Sequence, residues 1–280
     1  MATLVDLQPL MIVSYVTIPD EEKAFSRFRN NFFDRLFGNI LDFTKQYGPI
    51  ILCAEGGRNW RKDIYPEYKA NRHKVQRSEK EQKDHDQMLE WFNLLTNEII
   101  LNKVFRVLRV EGAEADDIIG LLAYNASVPT LIVSSDKDFQ QCQINPHVKQ
   151  WGTVKREFIK CEDPKEFLIE HIVRGDSTDN IPNIRKPLHK EGVPKDTTRL
   201  AVTKKFLLEF KQGLNYEKHA ERYVENKKLI DLHEIPNAIK GAIIEAVGVE
   251  WKCDTTMAIN YFKDNNLGRF AEEYILFKKT

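Results

Sequence analysis

Nine carboxylates, Asp6, Glu55, Glu114, Asp116, Asp117, Asp136, Asp138, Asp176 and Asp179, stand where the pattern of the chain could gather them. Three apolar runs end in such a group: Thr3-Leu4-Val5-Asp6, Pro49 to Glu55, and Thr130 to Asp136. Glu114 and Asp117 are three residues apart in Glu114-Ala115-Asp116-Asp117, just ahead of the apolar stretch Ile118 to Leu122, and so share one face of a helix start. Read alone, that string is as readily a helix cap. Asp136 and Asp138 point the same way if extended geometry persists, although a lone pair of this spacing is more often a polar turn. Asp176 and Asp179 are spaced for one face of a turn or helix start, where capping is the commoner use. Their convergence is what matters: carboxylates crowded into one crevice repel and take up protons unless cations keep them ionised. Oxygen ligands without accompanying His or Cys suit Mg²⁺, with Mn²⁺ as a substitute. Two such ions roughly 3.5–4 Å apart activate water and stabilise the leaving oxygen of a phosphodiester. The chemistry indicated is hydrolysis of a nucleic-acid backbone.

The elements that must position these groups follow from the same pattern. The three apolar runs read as buried strands, and the helical periodicity between them, as in Glu21 to Tyr47 with Phe25, Phe28, Phe32, Leu36 and Ile40, implies an α/β fold. Its centre is a mostly parallel sheet flanked by helices. In such sheets the functional crevice lies beyond the carboxyl ends of the strands, which is where the acids sit. His73 to Gln87 is nearly devoid of apolar residues and is expected to be a solvated connection or an exposed helix, a candidate arch over the crevice. Beyond about Ile181 the strand signal fades, and Thr198 to Lys211, Tyr216 to Leu229 and Asn237 to Val247 read as helices. The expected division is a nuclease-like α/β domain over 1–180, with a basic arch around 58–90, and a helical region over 181–280.

Composition narrows the setting. The 280 residues carry 42 basic and 42 acidic side chains, so any attraction to nucleic acid must come from segregated patches. Cys53, Cys142, Cys161 and Cys253 show no CxxC spacing, which argues against a zinc site or a disulfide framework and fits a reducing cytoplasm. No run approaches membrane-spanning length, and the apolar start reads as a core strand entering a helix, not a signal peptide. The segment Trp60 to Arg72 mixes cations for phosphates with aromatic faces for bases, and it follows Glu55 closely.

Taken in order, WRKDIYPEYKANR, AEADDIIG, LIVSSDKDFQQ and RGDSTDNIPNI resemble the motifs of the 5′-nuclease family. That family includes flap endonucleases, the 5′-exonuclease domain of bacterial DNA polymerase I, and phage 5′-exonucleases. VKQW at Val148 to Trp151 and NKKLIDLHEIPNAI at Asn226 to Ile239 resemble its primer-removing phage branch, with RNase H activity. The resemblance implies one metal held by Asp6, Glu55, Glu114 and Asp116, with Asp117 and the Asp136/Asp138 pair nearby, and a second associated with Asp176 and Asp179. It implies that Arg61, Tyr68 and Lys69 steer the scissile phosphate, and that a helical C-terminal region grips duplex DNA. Arg58, Lys62, Arg72 and Lys74 are expected to contact nucleic acid, as are Arg185, Lys186, Lys190 and Lys195. Two departures stand out: Glu55 replaces the family's usual Asp, and the glycine-rich, potassium-binding hairpin of cellular relatives is not evident in Asn183 to Lys195.

The implied function is a monomeric 5′–3′ exonuclease and flap endonuclease that acts on DNA and RNA–DNA duplexes and clears RNA primers, with single-stranded-DNA-binding protein and a replicative polymerase as partners. Two alternatives stay open at this point. One is a catalytically weak or inactive junction-binding protein; the other is a metal-dependent phosphatase or PIN-type ribonuclease. The long basic segment argues against the phosphatase, and the late RGDSTDN motif against the PIN domain.

Overall fold

The computed structural model describes residues 1–73, 77–185 and 201–279. In chain order they form β1 (Ala2–Asp6), α1 (Leu7–Val16), α2 (Phe25–Ile40), α3 (Thr44–Tyr47), β2 (Ile50–Ala54), α4 (Arg61–Ile64), α5 (Glu79–Leu101) and β3 (Arg106–Arg109). Next come α6 (Ala115–Tyr124), β4 (Thr130–Val133), β5 (Val148–Gly152), β6 (Glu157–Ile159) and α7 (Pro164–Arg174). The remainder is helical: α8 (Lys204–Lys211), α9 (Tyr216–Ile230), α10 (Asn237–Gly248), α11 (Thr255–Asp264) and α12 (Gly268–Lys279).

The six strands form one sheet in the order β3-β2-β1-β4-β5-β6. Every pairing is parallel except that of β5 with β6. The chain winds outward from β1 through β2 to β3, then returns to add β4 on the other side of β1. Strand order therefore reverses between β1 and β4, and the connections leaving their carboxyl ends diverge to open a crevice. Asp6 closes β1, and Ser134, Ser135 and Asp136 follow β4, so the acids flank the point of reversal. The register pairs Asp6 with Cys53 and Val5 with Val133, which brings Glu55 and Asp136 to the same rim.

Helices cover both faces. On one, α2 presents Phe28, Phe32, Phe33 and Phe37 to the sheet and to Trp91 and Phe92 of α5. Phe262, Phe270 and Tyr274 of α11 and α12 close the same cluster, so the last helices share the core of the sheet. On the other face α6 and α10 pack over Leu4, Cys53 and Ile132.

The three expected strands are present. Three more, β3, β5 and β6, were not anticipated. The expected helix over Glu21 to Tyr47 is interrupted: α2 ends at Ile40, and a 3₁₀ turn over Leu41–Phe43 precedes α3. Thr44 Oγ1 donates to the Leu41 carbonyl at 2.6 Å, which diverts a backbone acceptor from the helical ladder. Between His73 and Gln87 the exposed-helix alternative holds from Glu79 onward, where Ser78 and Glu81 form a capping box; residues 74–76 lie outside the described part. The expected helix at Thr198 begins, among the described residues, at Lys204 with Thr203 as its N-cap.

Phe33 tests the shared core most directly. Its ring lies 5.1 Å from that of Phe262 and 5.9 Å from that of Phe270. Phe33→Ala should cost about 3–5 kcal/mol in equilibrium urea unfolding. It should also expose the segment 251–279 to proteolysis; a loss below about 1 kcal/mol would contradict a core held in common.

Candidate metal centre

Asp6 is both the last residue of β1 and the N-cap of α1, so strand passes to helix without a loop. Its carboxylate accepts from Ser134 Oγ at 3.0 Å, a bond between the two strands at the reversal point. Burial, with Glu55 and Asp136 nearby, pushes its pKa up to about 7. Glu55, just past β2, is likewise pushed up to about 7 by burial and by Glu114. Gly56 makes that approach possible. A Cβ there would stand 1.7 Å from the Val110 carbonyl oxygen, and its N–H donates to Ala113 at 2.9 Å, locking the end of β2 against the loop that delivers Glu114.

Glu114 caps α6 and Asp117 answers it, accepting from the Glu114 N–H at 2.9 Å. The two acids then diverge in role. Asp117 is fully buried and faces inward, held by Arg61 at 2.8 Å and by Trp60 Nε1 at 3.0 Å. Glu114 faces the crevice and is bonded by Arg61 Nη1 at 3.0 Å, Tyr68 Oη at 3.0 Å and Lys69 Nζ. Burial works against its charge, but Lys69 and Arg61 more than offset this and hold its pKa below the usual range. Asp116, beside it, has no such cation to itself: burial, then Asp6, Asp136 and Glu114, push its pKa well up.

Asp136 and Asp138 do not continue the strand. Asp136 caps a 3₁₀ segment, Lys137–Ile144, and its Oδ1 accepts from the Asp138 N–H at 2.9 Å. Asp136 is exposed, whereas Asp138 turns inward, its pKa raised to about 7 by burial and then by Asp136 and Asp176 against the pull of His171. Asp138 Oδ1 lies 3.5 Å from His171 Nδ1, and neither buried atom has a hydrogen-bond partner among the described residues. His171 Nε2 lies 3.1 Å from Asp176 Oδ2, so the imidazole stands between the Asp138 and Asp176 carboxylates. Asp138, His171 and Asp176 offer ligand atoms within 4.8 Å of one another.

The loop that carries Asp176 and Asp179 is pinned in place. Gly175 takes φ +68°, and a Cβ there would meet the Ile181 carbonyl oxygen at 2.4 Å, closing the Asp176–Ile181 bridge. Asp176 accepts from Lys137 at 2.8 Å and from the Thr178 N–H at 2.7 Å; burial raises its pKa, but His171 and Lys137 outweigh that and hold it far below the usual range. Asp179 accepts from Tyr68 Oη at 2.8 Å.

Tyr68 and Arg61, expected to steer phosphate, are each only 2% exposed. Arg61 also donates through Nε to the Leu229 carbonyl at 2.9 Å and lies over the Trp60 ring, so it ties α4 to the end of α9. Lys69, at φ +56°, reaches Glu114 and stands 3.7 Å from Asp179. Arg58 is exposed and pairs with Asp63, Lys62 is exposed, and Arg72 falls in the short turn Ala70–His73. Arg185 is engaged with the Ala201 carbonyl and the Phe206 ring. Lys74, Lys186, Lys190 and Lys195 lie outside the described residues. Sequence reasoning missed His171, Trp60 and Lys137. A histidine five residues before Asp176 on an otherwise apolar helix face was the available signal for the first.

Comparison with known proteins gives the family and the fold. Residues 1–170 match the family model described as the 5′-3′ exonuclease, N-terminal resolvase-like domain. The chain is 27% identical over 258 residues to ribonuclease H of Enterobacteria phage T4, covering 86% of this chain and 84% of that protein. It is 35% identical over 160 residues to a 5′-3′ exonuclease of Buchnera aphidicola, covering 53% of this chain and 52% of that one. The flap endonuclease of bacteriophage T5, whose structure is a complex with DNA and metal ions, superposes with a TM-score of 0.60 at 20% identity, covering 97% of this chain and 99% of that one, a likeness of fold. Its sequence match, over well more than half its length, and the acids gathered where its parallel strands end make this chain a member of the 5′-3′ exonuclease nuclease family.

Proposed function

We propose that the protein hydrolyses phosphodiesters near the 5′ ends of DNA and RNA–DNA duplexes, as exonuclease and flap endonuclease, and so removes RNA primers during replication. The observation that carries this is the crowding of Asp6, Glu55, Asp116 and Asp138, each with its pKa raised, around one crevice. An oxygen-rich set with an orphaned buried Asp138 oxygen and one imidazole, His171, at its margin fits divalent cations of the Mg²⁺ class. One ion would be held by Asp6, Glu55, Glu114, Asp116 and Asp136, and a second by Asp138, Asp176 and Asp179, with His171 beside it. When bound, such ions supply an activated water and charge neutralisation for the phosphate.

The remaining residues act by position. Lys69 brings a cation to Glu114 and holds it ionised. Tyr68 Oη stands between Glu114 and Asp179, 3.0 Å and 2.8 Å away, and its single proton is shared between the two carboxylates. Arg61 and Asp117 hold the strand-end loop, α6 and α9 together. The helical region from 181 onward is proposed to grip the duplex. Single-stranded-DNA-binding protein and polymerase are proposed partners of a cytoplasmic monomer; no described helix is long and apolar enough to cross a membrane.

Cleavage of end-labelled nicked, flapped and RNA–DNA duplexes tests the activity. Wild-type protein with Mg²⁺ should release short 5′ products. Asp136→Asn should lower the rate by about a hundredfold or more, the scale of a lost electrostatic contact to the reacting centre, while flap binding persists. Binding without any product from the wild-type protein would favour a junction binder instead.

Stability should report the same crowding. Asp6, Glu55 and Asp138 have folded pKa values raised to about 7, above their unfolded ones. Their contribution is therefore complete below about pH 4 and is lost as pH rises through about 7. In chelator, this site should lower Tm between about pH 5 and pH 8, and millimolar Mg²⁺ at the upper end should restore it. A Tm that is flat across that window and indifferent to Mg²⁺ would oppose the metal assignment.

A further inference from the structure

We propose that His171 is a nitrogen ligand at the second cation position, bound through Nδ1 beside Asp138, and that this imidazole makes the position prefer first-row transition ions to Mg²⁺. The inference deepens the reading of the rim as a phosphodiesterase centre and rests on it.

His171 lies in the last turn of α7, where its carbonyl accepts from the Gly175 N–H at 2.8 Å. Ile172 and Val173 beside it are buried, and its ring stands 5.7 Å from that of Phe167. The side chain is only 5% exposed, so packing fixes where its two nitrogens point. Nε2 donates to Asp176 Oδ2 at 3.1 Å. Both oxygens of that carboxylate are engaged: Oδ2 also accepts from Lys137 at 2.8 Å, and Oδ1 accepts from the Thr178 N–H at 2.7 Å and the Asp179 N–H at 3.3 Å. Within this position Asp176 therefore aims the ring. A carboxylate behind a histidine is the common partner of a metal-bound imidazole, because it keeps the proton on the far nitrogen and leaves the near one a lone pair.

The near nitrogen, Nδ1, faces Asp138 Oδ1 at 3.5 Å, and both atoms are buried with no hydrogen-bond partner among the described residues. A direct hydrogen bond would be shorter, about 2.7–3.2 Å. Two ligand atoms that are each about 2.1 Å from one ion stand roughly 3.0–3.4 Å apart, depending on the angle between them. The spacing is thus close to that of a ligand pair. Asp138 also lines the cleft that holds Asp116 and Asp179, so an ion here belongs to the acid cluster. Mg²⁺ is a hard ion that takes oxygen, whereas affinity for a site with nitrogen rises along the first transition row from Mn²⁺. One imidazole among carboxylates therefore sets this position apart from the one at Asp6, Glu55, Glu114 and Asp116.

Pulsed electron paramagnetic resonance of the full-length protein loaded with Mn²⁺, below saturation and at it, reads ligand nitrogen directly. The wild type should show the coupling of a bound imidazole nitrogen, and His171→Gln should lose it. By calorimetry, the variant should bind Co²⁺ about tenfold or more weakly, at least the loss that follows removal of a partner behind a ligand, with a smaller loss for Mg²⁺. Because the ring is buried, thermal unfolding in chelator checks the variant, with His171→Asn as a second; should neither fold, the wild-type spectrum still decides. No nitrogen coupling in the wild type at either loading, coupling retained without His171, or equal losses for Co²⁺ and Mg²⁺ overturns the assignment. Failure of the underlying reading shows separately, as flap substrates left uncut by the wild type in both Mg²⁺ and Mn²⁺, while the spectrum still reports the ligand.

Discussion

Mutual repulsion among buried carboxylates is the constraint to which the rest of this structure answers. Asp6, Glu55, Asp116 and Asp138 are drawn into one crevice by the reversal of strand order between β1 and β4, and each is pushed toward its protonated form. A protein gains nothing in stability from such a cluster. Isolated buried charge is among the most costly arrangements a fold can hold, and it persists where something binds there or something compensates. On the proposed function, divalent cations are that compensation.

The surrounding framework exists to resist this repulsion. Arg61 and Lys69 both reach Glu114, and Lys137 pairs with Asp176. Arg61 spans three parts of the chain: Asp117 in α6, the Leu229 carbonyl at the end of α9, and the Trp60 ring. Removing one partner of a buried pair typically costs about 3–5 kcal/mol, because the other charge is left unpaired. The loop with Asp176 is sewn to the segment after α4 by Lys69 N–H to Asp179 at 2.9 Å, Asn71 to Ser177 at 2.9 Å and Asn180 to Glu67 at 2.8 Å. Gln141 then bonds the Ile230 carbonyl and the Leu232 N–H, extending the same rigidity into the helical region. Helix α9 is thus part of the site's support, so motion there would be felt at Glu114.

Much of this was legible in the sequence, for a physical reason. Strands buried on both faces need continuous apolar runs, and a carboxylate that ends such a run announces where the strand stops. Asp6, Glu55 and Asp136 could be placed on one rim from that alone. The outer strands could not: Arg106-Val-Leu-Arg109, at one edge of the sheet, is short and charged at both ends, and β5, between β4 and β6, alternates buried and more exposed residues, so neither carries the buried-strand signature. Side-chain pairing was hidden as well. Nothing in the spacing tells that Asp117 turns to Trp60 while Glu114 turns to Tyr68 and Lys69, because both satisfy the same capping pattern. His171 meets Asp138 across 33 positions of chain, a contact only the packed fold creates.

The most direct measurement is the proton balance of cation binding. Carboxylates with folded pKa values near 7 must lose protons when a cation takes their place. Calorimetric titration of the metal-free protein with Mg²⁺ near neutral pH, repeated in buffers of different ionisation enthalpy, counts those protons. The account predicts release of at least one proton per protein, diminished in Asp6→Asn. Cation binding with no proton release, or no binding at millimolar Mg²⁺, would contradict it.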